Sequence, residues 1–297
     1  MDNHWDKSKL QEAIDFAQQS GTAQLNVVHN GITLIDEVFA SEPVDVYAVQ
    51  KGILALLIGV AQEKYLLETL DNINHHLDPE WTNLGPWDEA KLTIEILMTM
   101  TTGMDDELNA MGTIGESWRY NNTAYNYLKK ILCLQSDQDL NGLSKEWLFD
   151  PLDMNDTNWV NRDELLPDGT PFTGLLSTAN DLSKVGRHIL KQNGRPKLDQ
   201  YYLDQLGEPG SNENPAWGLL WWNNNQALHM VPYSDKIREG NINPAAPEDT
   251  LFALGALGNQ LAIVPSLNLV VARTTAQRKT KPGFEVNFWE KLLAART

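Results

Sequence analysis

Lys51 stands directly before the longest apolar run of the chain, 52–61, in the segment Tyr47-Ala48-Val49-Gln50-Lys51. An amine at the head of an enclosed helix loses water, its pKa falls, and it becomes a base near neutral pH. Residues i and i+3 of a helix share a face about 5–6 Å apart, so Lys51 would reach a group on residue 48. That residue is alanine. The same residues also fit a lysine that merely opens a core helix. Other signatures are absent: there is no Gly-x-Ser-x-Gly, no Gly-x-x-x-x-Gly-Lys-Ser/Thr and no His-Glu-x-x-His. Of the six histidines, His4, His29, His75, His76, His188 and His229, only the pair His75-His76 suggests a metal, and its polar, turn-rich setting reads as solvated. Neither metal nor cofactor is expected.

The elements that must position Lys51 follow from periodicity. Leu10, Ile14, Phe16 and Ala17 mark a surface helix from Trp5 to Gln19 that stops before Gly21. Ala23 to His29 and Thr33 to Ala40 read as strands joined by the hairpin dipeptide Asn30-Gly31. Ala48 to Ala61 is apolar on nearly every face and predicts a central helix closed in on all sides. Helical patterns broken by Pro79, Gly85-Pro86, Gly103 and Pro151 follow, and Ser177-Thr178-Ala179-Asn180 offers caps for a helix over Asp181 to Lys191. Strand-like segments return at Trp217 to Trp222, Leu261 to Val264 and Asn268 to Thr274, before a last helix over Phe284 to Ala295. Glu208 to Asn214 and Ser234 to Glu248 read as long loops. The expected architecture is α/β of the α+β type: an antiparallel sheet flanked by N- and C-terminal helices, residues 1–63 and 166–297, with an inserted, mainly helical lobe at 64–165.

Composition narrows the class. The 297 residues are 42% hydrophobic and 21% charged, an ordinary folded chain. A net charge of −17 would repel phosphate backbones and anionic lipid surfaces, so nucleic acid and membrane are not expected partners. No apolar run approaches the roughly 20 residues that cross a bilayer. Cys133, alone, cannot form an intrachain disulfide, and the start Met1-Asp2-Asn3-His4-Trp5-Asp6 has no basic or apolar leader pattern, so the reading is cytoplasmic. The oligomeric state is not readable.

Seven segments, in order, resemble the serine β-lactamase and penicillin-binding protein superfamily. Ala48-Val49-Gln50-Lys51 is similar to its Ser-x-x-Lys element, with alanine at the nucleophile position. Leu97-Met98-Thr99-Met100-Thr101-Thr102-Gly103-Met104 resembles its Leu-Leu-Thr-x-Thr-Ser-Gly-Leu turn, and Trp118-Arg119-Tyr120-Asn121-Asn122 its Tyr-x-Asn element. Pro151-Leu152-Asp153-Met154 is similar to Pro-Leu-Gly-Met, and Gly174-Leu175-Leu176-Ser177-Thr178-Ala179-Asn180-Asp181-Leu182 to Gly-Leu-x-Ser-Thr-Ala-x-Asp-Leu. Trp217-Gly218-Leu219-Leu220-Trp221-Trp222 resembles the Tyr-Gly-x-Gly-Trp strand. Gly255-Ala256-Leu257-Gly258-Asn259-Gln260 with Val264-Pro265 resembles the Gly-x-x-Gly-Gly-Gln and Val-x-Pro pattern of the esterase and 6-aminohexanoate-dimer hydrolase branch. Taken singly, Tyr120 also fits a core aromatic, and Asn121-Asn122 a helix cap.

The resemblance implies a β-lactamase/transpeptidase-like fold and an acyl-enzyme mechanism. Lys51 and Tyr120 match the proton relay, Asn122 the residue that bonds the lysine and the substrate amide, and the backbone N–H groups of Ala48 and Asn259 the oxyanion hole, with Gly258 beside it. The Lys-Thr-Gly of penicillin-recognising members is replaced by Ala256-Leu257-Gly258, so Leu257, Trp221 and Trp222 are expected to flank an uncharged or amphipathic acyl group, one of the two tryptophans facing the cleft. The expected function is a serine esterase or amidase acting on a small ester or amide. Ala48 then has two explanations, an engineered replacement of a parental serine or a natural pseudoenzyme that uses the cleft to bind.

Overall fold

A computed structural model describes residues 5–191, 194–275 and 283–297; His4 lies outside them. The first helix, α1 (Lys7–Gln19), is capped by Asp6, whose carboxylate accepts the N–H groups of Ser8 and Lys9, and buries Leu10, Ala13 and Ala17. The hairpin β1 (Gln24–His29) and β2 (Ile32–Val38) turns at Asn30 and Gly31, both with positive φ as a tight hairpin turn requires. The short strand β3 (Val44–Asp45) leads through one 3-10 turn, Tyr47–Val49, into α2 (Gln50–Glu63), buried from Gln50 to Ala61. Gly52 lets this helix press on Trp221, because a Cβ there would come within 2.8 Å of the indole.

Short helices follow, α3 (Pro86–Glu89) and α4 (Ile94–Met98), then the long α5 (Asn122–Ser136) and α6 (Leu140–Ser144), which continues into a π turn at Lys145–Phe149. Strands β4 (Asn158–Leu165) and β5 (Pro171–Ser177) join β3 in a three-stranded antiparallel sheet ordered β3-β5-β4. In α7 (Ala179–Lys191), the N–H of Asp181 donates to the Thr178 hydroxyl, one of the caps offered by the sequence. After α8 (Gln200–Gln205) come the two-residue strands β6 (Trp222–Asn223), β7 (Leu228–His229) and β8 (Arg238–Glu239). The chain ends with β9 (Leu251–Leu254), β10 (Gln260–Val264), β11 (Leu269–Thr274) and α9 (Phe284–Ala294).

The main sheet is antiparallel and ordered β2-β1-β11-β10-β9-β6. Its chain-terminal strands meet at the centre, β1 on β11 in the register Asn26 to Ala272. Strands β1, β10 and β11 are buried along their whole lengths, so both faces are covered; α7 packs over these three, and α1 and α9 pack on each other.

Four expectations are corrected. Trp217 to Trp222 is not a strand: only Trp222 enters β6, and 217–221 turns back on itself through Leu220, at φ 64°. The reason is ring burial, since Trp217 packs edge-on against Trp222 and donates its indole N–H to the Met98 carbonyl. The segment Leu251–Leu254, not read as a strand, is β9, and β4 occupies 158–165, a stretch read as helical. His76 is not solvated; its ring is 6% exposed and its Nε2 lies 3.1 Å from Asp71 Oδ2.

Candidate active site

Where β3 hands over to α2, Asp45 accepts the N–H of Tyr47 at 2.8 Å and pins that residue at a positive φ. The following turn puts Ala48 in the wall of a cavity of about 520 Å³, and the first turn of α2 puts Lys51 beside it. Lys51 is 3% exposed, and its Nζ donates to Asn122 Oδ1 at 2.8 Å. The same nitrogen lies 4.0 Å from the ring centre of Tyr125 and 4.7 Å from that of Tyr120. Among the described residues no carboxylate pairs with it; burial, and secondly the Arg162 cation, lower its pKa to about 7.

The second wall is the approach to α5. Asn121 caps that helix, accepting the Ala124 N–H at 2.8 Å and donating to the Asp105 carbonyl at 2.6 Å. Asn122 turns the other way, and while its Oδ1 serves Lys51, its Nδ2 donates to the Tyr233 hydroxyl at 2.6 Å. The pair thus divides the two roles its sequence left open. Tyr120 is held edge-on by Trp217 and Tyr233, and burial, with the Tyr233 phenol second, raises its pKa, keeping its hydroxyl protonated at neutral pH.

The third wall is the end of β9. Gly255 lies so close to the turn before α2 that a Cβ there would overlap the Val46 carbonyl, 2.2 Å away. Gly255 and Ala256 line the cavity with Ala48. Among the described residues, the N–H groups of Ala48 and Ala256 make no hydrogen bond.

The structure does not bring Asn259, Gly258 or Leu257 to this cavity. The chain reverses after Ala256 through a turn with Leu257 at φ 65°, which moves the cavity-facing position three residues upstream of Asn259. The N–H of Asn259 goes to the Ala256 carbonyl, its side chain braces Ala256 and Thr275, and the Gly258 carbonyl accepts from Arg273. Trp221 is likewise absent from the lining, being buried under α2, whereas Trp222 lines it.

Phe172, Trp222, Val231, Pro232, Ile242 and Leu254 form the apolar part of the wall. Sequence reasoning missed Tyr125, Tyr233, Arg162 and, behind the wall, Lys129. The last is buried among neutral acceptors, donating to Gln50 Oε1 at 2.7 Å, Asn126 Oδ1 at 3.0 Å and the Thr173 hydroxyl at 2.8 Å. Its one signal was position, four residues after Tyr125 on α5, where both side chains share a face. Among the described residues no group of three or more His, Cys, Asp or Glu side chains is arranged to hold a metal, and no helix is long and apolar enough to cross a membrane.

The mixed fold around this cavity is that of the β-lactamase-like hydrolase superfamily, and the family model bears this out. The β-lactamase family model matches residues 9–296, and the chain belongs to that family. It is 25% identical to an uncharacterized protein of Alkalihalophilus pseudofirmus, over 80% of this chain and 75% of that one. Among solved structures it is similar to a putative β-lactamase from Bacteroides dorei, with a TM-score of 0.72, 16% identity, and coverage of 98% of this chain and 97% of that one. It is also similar to a putative 6-aminohexanoate-dimer hydrolase from Bacillus anthracis, with a TM-score of 0.67, 17% identity, and coverage of 95% and 80%.

Proposed function

We propose that the cavity is a serine-hydrolase site of the Ser-Lys-Tyr kind for small esters or amides, with Ala48 at the nucleophile position. The chain as it stands therefore holds an acyl ligand without forming an acyl-enzyme. The observation that carries this reading is Lys51, a buried amine with no carboxylate partner among the described residues, opening on the same cavity as residue 48. Such burial is costly unless the neutral amine is wanted.

With serine at 48, the neutral Lys51 amine takes the hydroxyl proton as the oxygen attacks the acyl carbonyl. The carbonyl oxygen, now negative, accepts from the N–H groups of residue 48 and Ala256, two backbone donors in the wall that make no hydrogen bond among the described residues. Tyr120, protonated at neutral pH, acts as the acid that passes a proton to the leaving group, and Lys51 replaces that proton. Asn122 orients the amine throughout. A water then attacks the acyl-enzyme by the reverse relay.

The test is Ala48→Ser, assayed with a chromogenic short-chain ester and a phosphonate probe. Turnover and covalent labelling are expected in the serine variant alone, with kcat/KM rising through about pH 7 as Lys51 loses its proton. Loss of both on adding Lys51→Met is expected. A serine variant that neither labels nor turns over removes the hydrolase reading and leaves a binding cleft.

A further inference from the structure

Two basic side chains, Lys51 and Arg162, stand in the cavity wall, with no aspartate or glutamate among its lining residues, in a chain whose net charge is −17. Lys51 has its place in the proton relay; Arg162 has none. It reaches the cavity from β4, where its Nη2 donates to Asp45 Oδ2 at 2.5 Å and its guanidinium lies 5.6 Å from the Tyr47 ring. Its Nε and Nη2 both pack against β5 at Gly174, where a Cβ would come within 2.8 and 2.9 Å of them, and Nε has no hydrogen-bond partner among the described residues. Nη1 is neither sealed in this way nor hydrogen-bonded among the described residues.

A guanidinium offers five N–H donors in a planar fork, and one contact to Asp45 leaves most of them unused. Asp45 also accepts the Tyr47 N–H, and no second acid lines the cavity, so among the described residues the guanidinium edge at Nη1 has no carboxylate against it. We propose that Arg162 recognises a carboxylate on the ligand, which accepts from Nη1. Phe172 on one flank and Val231 and Ile242 in the same wall give room for an apolar spacer. The ligand class is thus an ester or amide carrying a free carboxylate on an apolar arm, which replaces the uncharged acyl group expected from the missing Lys-Thr-Gly. This inference rests on the acyl-ligand reading above.

Calorimetry on the chain with Ala48, at pH 8.5 where the Lys51 amine is neutral, tests it with two probes of equal length, monomethyl adipate and dimethyl adipate. The monoester is expected to bind about tenfold more tightly than the diester. Arg162→Gln should bring the two within about twofold of each other, and Asp45→Asn, which frees the guanidinium, should widen the gap. Equal binding of the two probes, a preference that survives Arg162→Gln, or a gap that narrows in Asp45→Asn overturns the inference and leaves the acyl-ligand reading standing. If neither ester binds, the acyl-ligand reading itself falls and takes this one with it. Should Arg162→Gln fail to fold, the probe pair on the unaltered chain and on Asp45→Asn still decides.

Discussion

An ammonium that has lost its water and gained no carboxylate weakens the fold that holds it, and Lys51 makes that penalty measurable. It releases its proton at about 7 in the native chain, against an ordinary value of 10.5. Between those values the unfolded chain binds the extra proton, so the Lys51 contribution to native stability rises with pH from about 7 to 10.5 and is most unfavourable below 7. Lys51→Met should therefore be more stable than the parent by ~1–3 kcal/mol at pH 6, after the loss of the Asn122 bond, with the gap closing near pH 10. Urea unfolding at the two pH values checks this; a methionine variant less stable at pH 6 would contradict it. Arg162 and Lys129 also enclose charge here, yet neither could be picked out of the sequence as part of the site. Each lies on an element whose relation to α2 is set only by tertiary packing, Arg162 through β4 and Lys129 through α5.

At the level of elements, α2 was legible because its signal is local: an unbroken apolar run announces a helix enclosed on every face, and Gln50 to Ala61 is so buried. The hairpin was legible for the same reason, through Asn30-Gly31. The turn after β9 was not, because with Leu257 at a positive φ the chain reverses there, and Ala256 lines the cavity while Asn259 does not. Trp217 to Trp222 misled because three buried indoles dominate local alternation. The fit of α2 to its neighbours gives the prediction at this scale. Gly52→Ala puts a methyl 2.8 Å from Trp221 and 3.0 Å from the Ala253 Cβ, so overpacking should outweigh the gain in helix propensity and destabilise by ~1–3 kcal/mol. Equilibrium unfolding with an unchanged denaturant slope would show it.

Across the whole molecule, 40 acidic residues against 23 basic ones impose self-repulsion that the cavity cations do little to offset. Salt screens charges separated by more than about 10 Å at 0.1 M, so the melting temperature should rise by a few degrees, about 2–4 °C, between 0.05 and 0.5 M sodium chloride. A fall would mean that attractive pairs dominate the surface instead. The cavity gathers residues from well-separated parts of the chain: Ala48 and Lys51 from the entry to α2, Tyr120 and Asn122 from the approach to α5, Arg162 from the small sheet and Ala256 from the turn after β9. Its two free backbone donors belong to the main chain, which no exchange of side chains deletes. Alanine and serine codons differ by one base, so under the proposed reading a lineage can silence such a centre, keep its shape, and recover it in a single mutational step.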